Sequence, residues 1–189
     1  ANAFKKSKQI DPKSKTKHLI GVAITANLAT TYEKKGDHKF FIVIQTHDCT
    51  KYLECYLDKG KRKREEEEEL ITACVISLLA KSCGFELSLP SIEEEIIINK
   101  VDAEKPWEKL FNNKVGYISN NKNNPELIFP GSFNPLHEGH IKMKNLAEKK
   151  TGMHTTFEIC AKNADKPPLT FYEIKKTIDQ FQNEESWML

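Results

Sequence analysis

The chain has 189 residues, 39% apolar and 30% charged, with a formal net charge of +2. That length holds one domain or two small ones, and so small a net charge excludes the strong positive field of a dedicated nucleic-acid binder. No apolar run approaches the roughly 18–20 residues of a membrane span, and no signal-peptide pattern is visible, so a cytoplasmic protein with no membrane partner is expected.

Residues 1–17 are rich in lysine and lack apolar periodicity, which predicts a basic flexible arm. The run HLIGVAIT (residues 18–25) predicts a strand buried on both faces. A connection follows and ends in the turn cluster KKGDH (residues 34–38). KFFIVIQT (residues 39–46) predicts a second buried strand, and TKYLECYLD (residues 50–58) its antiparallel hairpin partner. Residues 61–83 predict a long helix, because Leu70, Ile71, Cys74, Val75, Leu78 and Leu79 form one apolar stripe. Glu65 to Glu69 sit early in that helix, where its dipole favours negative charge. The five cysteines include no C-x-x-C pair, and buried, reduced thiols are expected.

The segment GVAIT, the turn KKGDH, the hairpin and the Arg- and Glu-rich helix start together resemble a known domain. It is the C-terminal domain of the competence-damage-inducible protein family, a nicotinamide-nucleotide amidase with an α/β/α sandwich. The resemblance covers about residues 18–84 and puts Thr25 at the place of an amidase-site threonine. ANLAT (residues 26–30) stands where the family has a Gly-x-Ala-Gly-Pro turn, and the upstream half with its nucleophilic serine and partner tyrosine is absent. Thr25 is therefore a vestigial amidase position, since a lone threonine without an activating base is not a catalytic site.

Residues 86–124 read as a linker, with Pro90, a short helix over 106–111 and the Asn-rich run NNKNNP. The stretch ELIFPGSFNPLHEGHIKMKNLAEKK (residues 126–150) then predicts strand, sharp turn and helix. Pro130 and Gly131 end the strand. Asn134 and Pro135 predict the helix start, as a favoured N-cap and first helical residue. His137 and His140, three apart, share one helix face. Gly131 and Ser132 lack bulk, so a phosphate could approach the free N–H groups of the helix start. The imidazoles can donate to its oxygens, more strongly when protonated. The same pair could be two surface histidines of an ordinary turn. Zinc would need a third ligand, none is evident nearby, and no metal site is assigned.

The run G-S-F-N-P-L-H-E-G-H resembles the signature of the cytidylyltransferase-like nucleotidyltransferases, which include the nicotinamide- and nicotinate-nucleotide adenylyltransferases. Gly131, Ser132, Phe133, Asn134, Pro135, His137, Gly139 and His140 match its pattern. The resemblance implies nucleotide binding by Gly131, Ser132, Phe133, Asn134, His137, Gly139 and His140. His140 would contact the α-phosphate region and His137 the neighbouring phosphates. It also implies Mg²⁺, for which the sequence identifies no protein ligand. The implied reaction transfers a nucleotidyl group from ATP or CTP to a phosphate-bearing acceptor and releases pyrophosphate.

Thr151-Gly152 ends the helix, and TTFEICA (residues 155–161) predicts the next parallel strand. Thr170 and Glu173 form a capping box for a helix whose face is Phe171, Ile174, Ile178 and Phe181. A right-handed crossover is expected. Ligands in such sheets sit beyond the carboxyl ends of neighbouring strands, which makes Asn163, Asp165 and Lys166 candidate acceptor contacts beside the reading as an ordinary polar loop.

The expected fold class is thus α/β and three-layer: a partial amidase-like sandwich (18–85), a linker (86–124), and a Rossmann-like nucleotidyltransferase half-domain (125–189). The family's second signature, roughly Ile-Ser-x-Thr-x-x-Arg, does not occur in the chain. Only two strands of a five-stranded fold are read before Trp187. The chain begins with Ala rather than Met. An incomplete piece of a two-domain protein of nicotinamide-nucleotide metabolism is the expectation. The alternative is a non-catalytic remnant that binds nucleotide or a partner. Small nucleotides are the expected partners, nucleic acid is not, and a homo-oligomer is compatible with the chain.

Overall fold

A hairpin of apolar strands and one amphipathic helix build the first half of the computed structural model, which describes residues 1–32, 34–163, 166–181 and 186–189. The chain is mixed α/β and divides into two units: residues 3–46 with 50–100, and residues 1–2, 47–49 and 101–189.

The first unit holds β1 (Gly21–Asn27), β2 (His38–Gln45), α2 (Arg64–Ser82) and most of α1 (Asn2–Ile10), β3 (Cys49–Leu57) and β4 (Ile96–Asp102). The strands form one sheet in the order β1-β2-β3-β4. The β1–β2 and β2–β3 pairs are antiparallel, with Ile42 opposite Ile24 on one side and Leu53 on the other. Alternate residues of β2, His38, Phe40, Ile42 and Ile44, are buried, as the two-residue side-chain period of a strand requires. They pack with Leu53, Cys55 and Leu57 of β3 and with Leu70, Ile71, Cys74 and Leu78 of α2. The stripe read from the sequence is therefore the buried face of α2. Each fully buried Ile or Leu there is worth about 1.5–3 kcal/mol.

Two expectations for this unit are corrected. β1 is not buried on both faces. It lies at the edge of the sheet, and residues 23–26 are exposed. The expected flexible arm carries α1. Its backbone runs so close to β1 that a Cβ on Gly21 would sit 2.2 Å from the Phe4 amide nitrogen. The glycine inside the apolar run is there for that approach.

The second unit holds α3 (Lys105–Phe111), β5 (Leu127–Gly131), α4 (Glu138–Thr151), β6 (Thr155–Ile159), α5 (Phe171–Ile178) and β7 (Trp187–Met188). Its sheet has the order β5-β6-β7. Both pairs are parallel, with Phe129 opposite Phe157 and Phe157 opposite Trp187. Trp187 and Met188 thus add a third parallel strand where two were read. Segment 86–124, read as a linker, carries β4 and α3, and Trp107 and Leu110 of α3 are buried in the core of this unit. Ile118 exchanges two backbone hydrogen bonds with Leu189, at 3.2 and 2.9 Å, so this stretch also lines the edge of β7.

The capping signals hold at both later helices. Thr170 Oγ1 accepts from the Glu173 amide at 3.1 Å, and Glu173 Oε2 accepts from the Thr170 amide at 2.6 Å. Gly152 takes a left-handed φ of 72° beyond α4, which a residue with a Cβ would adopt at a cost.

Candidate functional site

The signature run lies between β5 and α4. Its first turn is organised by Phe133, which is 2% exposed and has a φ of 45°. That conformation is uncommon for a bulky residue, and packing holds it. The Phe133 ring meets Phe129, Phe157 and Phe181 with centroids 5.8, 5.1 and 5.5 Å away, all edge-on. Such edge-to-face contacts add to the burial itself. Gly131 makes room for this ring: a Cβ there would lie 2.6 Å from Phe133 Cζ. The missing side chain at Gly131 therefore accommodates the aromatic core, an internal reason beside the expected phosphate approach.

The helix starts later than expected. Asn134 and Pro135, joined by a cis peptide bond, are exposed turn residues. His137 has an extended backbone (φ −143°, ψ 167°) and is the N-cap of α4. No helix can begin before a residue in that conformation. His140 is the third residue of the helix, and its Nδ1 accepts the His137 amide at 3.2 Å. The two imidazoles stack with centroids 3.7 Å apart and planes 24° apart. Gly139 leaves space for this stack, since a Cβ there would stand 3.1 Å from the His137 ring.

His140 is half-buried, edge-on to Phe133 at 5.2 Å and to Phe129 at 6.1 Å, while His137 is exposed. Burial, followed by the charge of His137, lowers the His140 pKa below the ordinary imidazole value. Because Nδ1 accepts a backbone N–H, the neutral ring carries its proton on Nε2. Protonation would set two N–H groups against each other. Of the two ring nitrogens, Nε2 is therefore the one free to donate to an anion.

Gln180, two residues beyond α5, ties the loop at both ends. Its Oε1 accepts the Leu136 amide at 2.8 Å, and its Nε2 donates to the Phe133 carbonyl at 3.0 Å. Sequence reasoning missed it, because its partners lie 44 and 47 residues away and nothing in the sequence pairs them.

A cavity of about 260 Å³ opens beside the loop, lined by Gly131, Ser132, Asn134, Asn163, Lys166 and Thr177 among others. The structure thus brings the loop after β5 and the loop after β6 to one crevice. Asp165 lies outside the described residues. His137 and His140 are not among the described residues that line this cavity. They stand at the start of α4.

Thr25 in the first unit is exposed on β1, opposite Phe41, and no described acid–base partner is bonded to it. All five cysteines are free. Cys49, Cys55 and Cys74 are buried as expected, whereas Cys83 is exposed and Cys160 half-buried. Burial pushes the Cys55 and Cys74 thiols up to about 11, so they are protonated and inert near neutral pH. Among the described residues no group of three or more His, Cys, Asp or Glu is placed to hold a metal ion, and no helix is long and apolar enough to cross a membrane. Comparison with known proteins gave no match to any family model, curated protein or solved structure.

Proposed function

We propose that the second unit is the signature-bearing part of a Rossmann-like nucleotidyltransferase. In this reading it transfers a nucleotidyl group from ATP or CTP to a nicotinamide or nicotinate mononucleotide. One observation carries the reading. The run G-S-F-N-P-L-H-E-G-H leaves the carboxyl end of a parallel strand and puts two stacked imidazoles at the start of a 14-residue helix. Anions bind at such helix starts, and ligands of α/β sheets bind at such strand ends. A three-layer arrangement belongs to the same proposal, supported by helices α4 and α5 alternating with parallel strands.

In the proposed reaction an acceptor phosphate oxygen attacks the α-phosphorus of the triphosphate. The bond from that phosphorus to the bridging oxygen breaks, and pyrophosphate leaves. No covalent enzyme intermediate is needed, and catalysis is positioning plus charge stabilisation. His140 donates from Nε2 to a non-bridging oxygen of the α-phosphate. His137, exposed at the N-cap, holds the neighbouring phosphates. Ser132 and Asn134 line the crevice on the nucleotide side, and Asn163 and Lys166 line it on the acceptor side. Mg²⁺ would supply further charge neutralisation, carried on the triphosphate, with no protein ligand assigned.

The second reading is a protein that binds nucleotide and turns nothing over. It is favoured by the lack of an Ile-Ser-x-Thr-x-x-Arg segment in the chain. Pyrophosphate release measured with ATP and with CTP, across mononucleotide acceptors, separates the two. Saturable nucleotide binding without release would support the second and sink the first.

A further inference from the structure

Glu148, His154 and Ser186 meet at the end of the second unit's sheet opposite the signature loop. That loop leaves the carboxyl end of β5, whereas His154 and Ser186 immediately precede β6 and β7. Ser186 Oγ lies 2.8 Å from His154 Nε2, and Glu148 Oε1 lies 3.3 Å from His154 Nδ1. A hydroxyl, an imidazole and a carboxylate in that sequence are the parts of an activated nucleophile. The base is within hydrogen-bond reach of the nucleophile, and a third group orients the base. Such a site is defined by geometry and not by chain order.

The partners assign the protons. A carboxylate only accepts, so in a neutral His154 the proton belongs on Nδ1, beside Glu148, and Nε2 keeps its lone pair. The Ser186 hydroxyl is then the donor to Nε2. Asn121 agrees with this assignment. Its Oδ1 accepts the Asn123 amide at 3.0 Å, which fixes the carboxamide, and its Nδ2 donates to Ser186 Oγ at 3.3 Å.

Each of the three residues is also tied to a neighbour. Glu148 Oε1 accepts the Thr155 amide at 2.8 Å, and the His154 amide donates to Glu126 Oε2 at 2.9 Å. The Ser186 carbonyl accepts the Phe157 amide at 2.8 Å. Reactive groups supported in this way keep their mutual geometry. The Glu148 side chain is about three-quarters buried, where its charge acts on the imidazole more strongly than it would in water. The His154 side chain is half-exposed and Ser186 half-buried, so a small substrate can reach the pair.

We infer that Ser186 is the nucleophile of a site that hydrolyses small carboxylic esters, independent of the nucleotidyltransferase reading. Its Oγ bonds to the ester carbonyl carbon as its proton passes to His154 Nε2. The bond from that carbon to the alkoxy oxygen breaks, and the alcohol leaves with the proton. Water, giving a proton to His154, then releases the acid and restores the serine. Asn121 Nδ2, fixed beside Oγ, supplies a donor for the carbonyl oxygen as it gains charge. The test is labelling of the full chain with an alkyl fluorophosphonate, which transfers its phosphonyl group to an activated serine with loss of fluoride. Peptide mass spectrometry should find the label on Ser186. His154→Ala should slow labelling about 100-fold or more, the usual contribution of a positioned base. Glu148→Gln should slow it about tenfold or more, because a neutral side chain no longer holds the proton on Nδ1. Hydrolysis of 4-nitrophenyl acetate should fall to background in Ser186→Ala. Unfolding the wild type in urea should abolish the labelling, which carries the test if a variant misfolds. A purely structural clasp of the same side chains leaves Ser186 unreactive. An unlabelled Ser186 in the folded chain therefore overturns the inference. So does a labelling rate unchanged in urea or in either folded variant, and so does ester hydrolysis that survives Ser186→Ala.

Discussion

Replacing Gln180 tests whether the signature loop is held from outside its own sequence. The Gln180 carboxamide makes two hydrogen bonds to the loop backbone, at 2.8 Å to the Leu136 amide and 3.0 Å to the Phe133 carbonyl. Both are partly buried. A net hydrogen bond is worth about 0.5–1.5 kcal/mol, and a buried group left unpaired costs about 1–3 kcal/mol. Gln180→Ala should therefore loosen the loop by about 1–3 kcal/mol, with water reaching part of the vacated space. The local assay is hydrogen exchange at the Leu136 amide, since about 1.4 kcal/mol is a factor of ten in an opening equilibrium. Exchange should accelerate roughly 5- to 150-fold, with little change at amides of β2 and α2 in the other unit. Gln180→Glu sharpens the test. Its carboxylate still accepts from Leu136 but cannot donate to Phe133, and two oxygens then face each other. Acidification should restore part of the protection as the introduced carboxyl gains a proton. Unchanged exchange at Leu136 in both variants would refute the reasoning.

Three further predictions rest on separate observations. Gly131→Ala forces a methyl to within 2.6 Å of a ring that is itself locked among three phenylalanines; it should destabilise the second unit by about 1–3 kcal/mol, the usual cost of overpacking, and wild-type stability in chemical denaturation would contradict it. His137→Ala should raise the His140 pKa toward the ordinary imidazole value, because it removes both the stacked ring and its charge; histidine proton shifts across pH read this, and a fall would refute the assignment. Hydrogen bonding from Arg62 draws the Glu94 carboxyl down to about 2. A depressed folded-state pKa means stabilisation that is complete above the unfolded value, about 4.3, declines as pH falls, and is gone below about 2. Denaturation at a series of pH values should show Arg62→Met furthest below wild type above pH 4.5 and indistinguishable from it near pH 2, and a gap that widens on acidification would sink the account.

Local chemistry was legible where neighbours in sequence are neighbours in space. The α2 stripe, the β2–β3 hairpin, the Thr170–Glu173 capping box and the Gly152 terminator all follow from short-range rules. HLIGVAIT was read as doubly buried because an apolar run reports hydrophobicity, not how many strands flank it. Its glycine marks the approach of α1, which no local pattern encodes. The Asn-Pro pair signalled a helix start that the extended backbone of His137 postpones to Glu138. Glu67, a buried residue of α2, left a trace: it falls three and four residues before Leu70 and Ile71, a carboxylate on an apolar stripe, and such a residue is buried only with partners. Gln180 left none.

The central claim is most directly tested by pyrophosphate release from ATP and from CTP with nicotinamide or nicotinate mononucleotide as acceptor, wild type against His140→Ala. The account predicts acceptor-dependent release by the wild type, and a variant slower by about two orders of magnitude or more with its fold intact by circular dichroism. Release that survives the loss of His140, or no release by the folded wild type with either triphosphate, would contradict it.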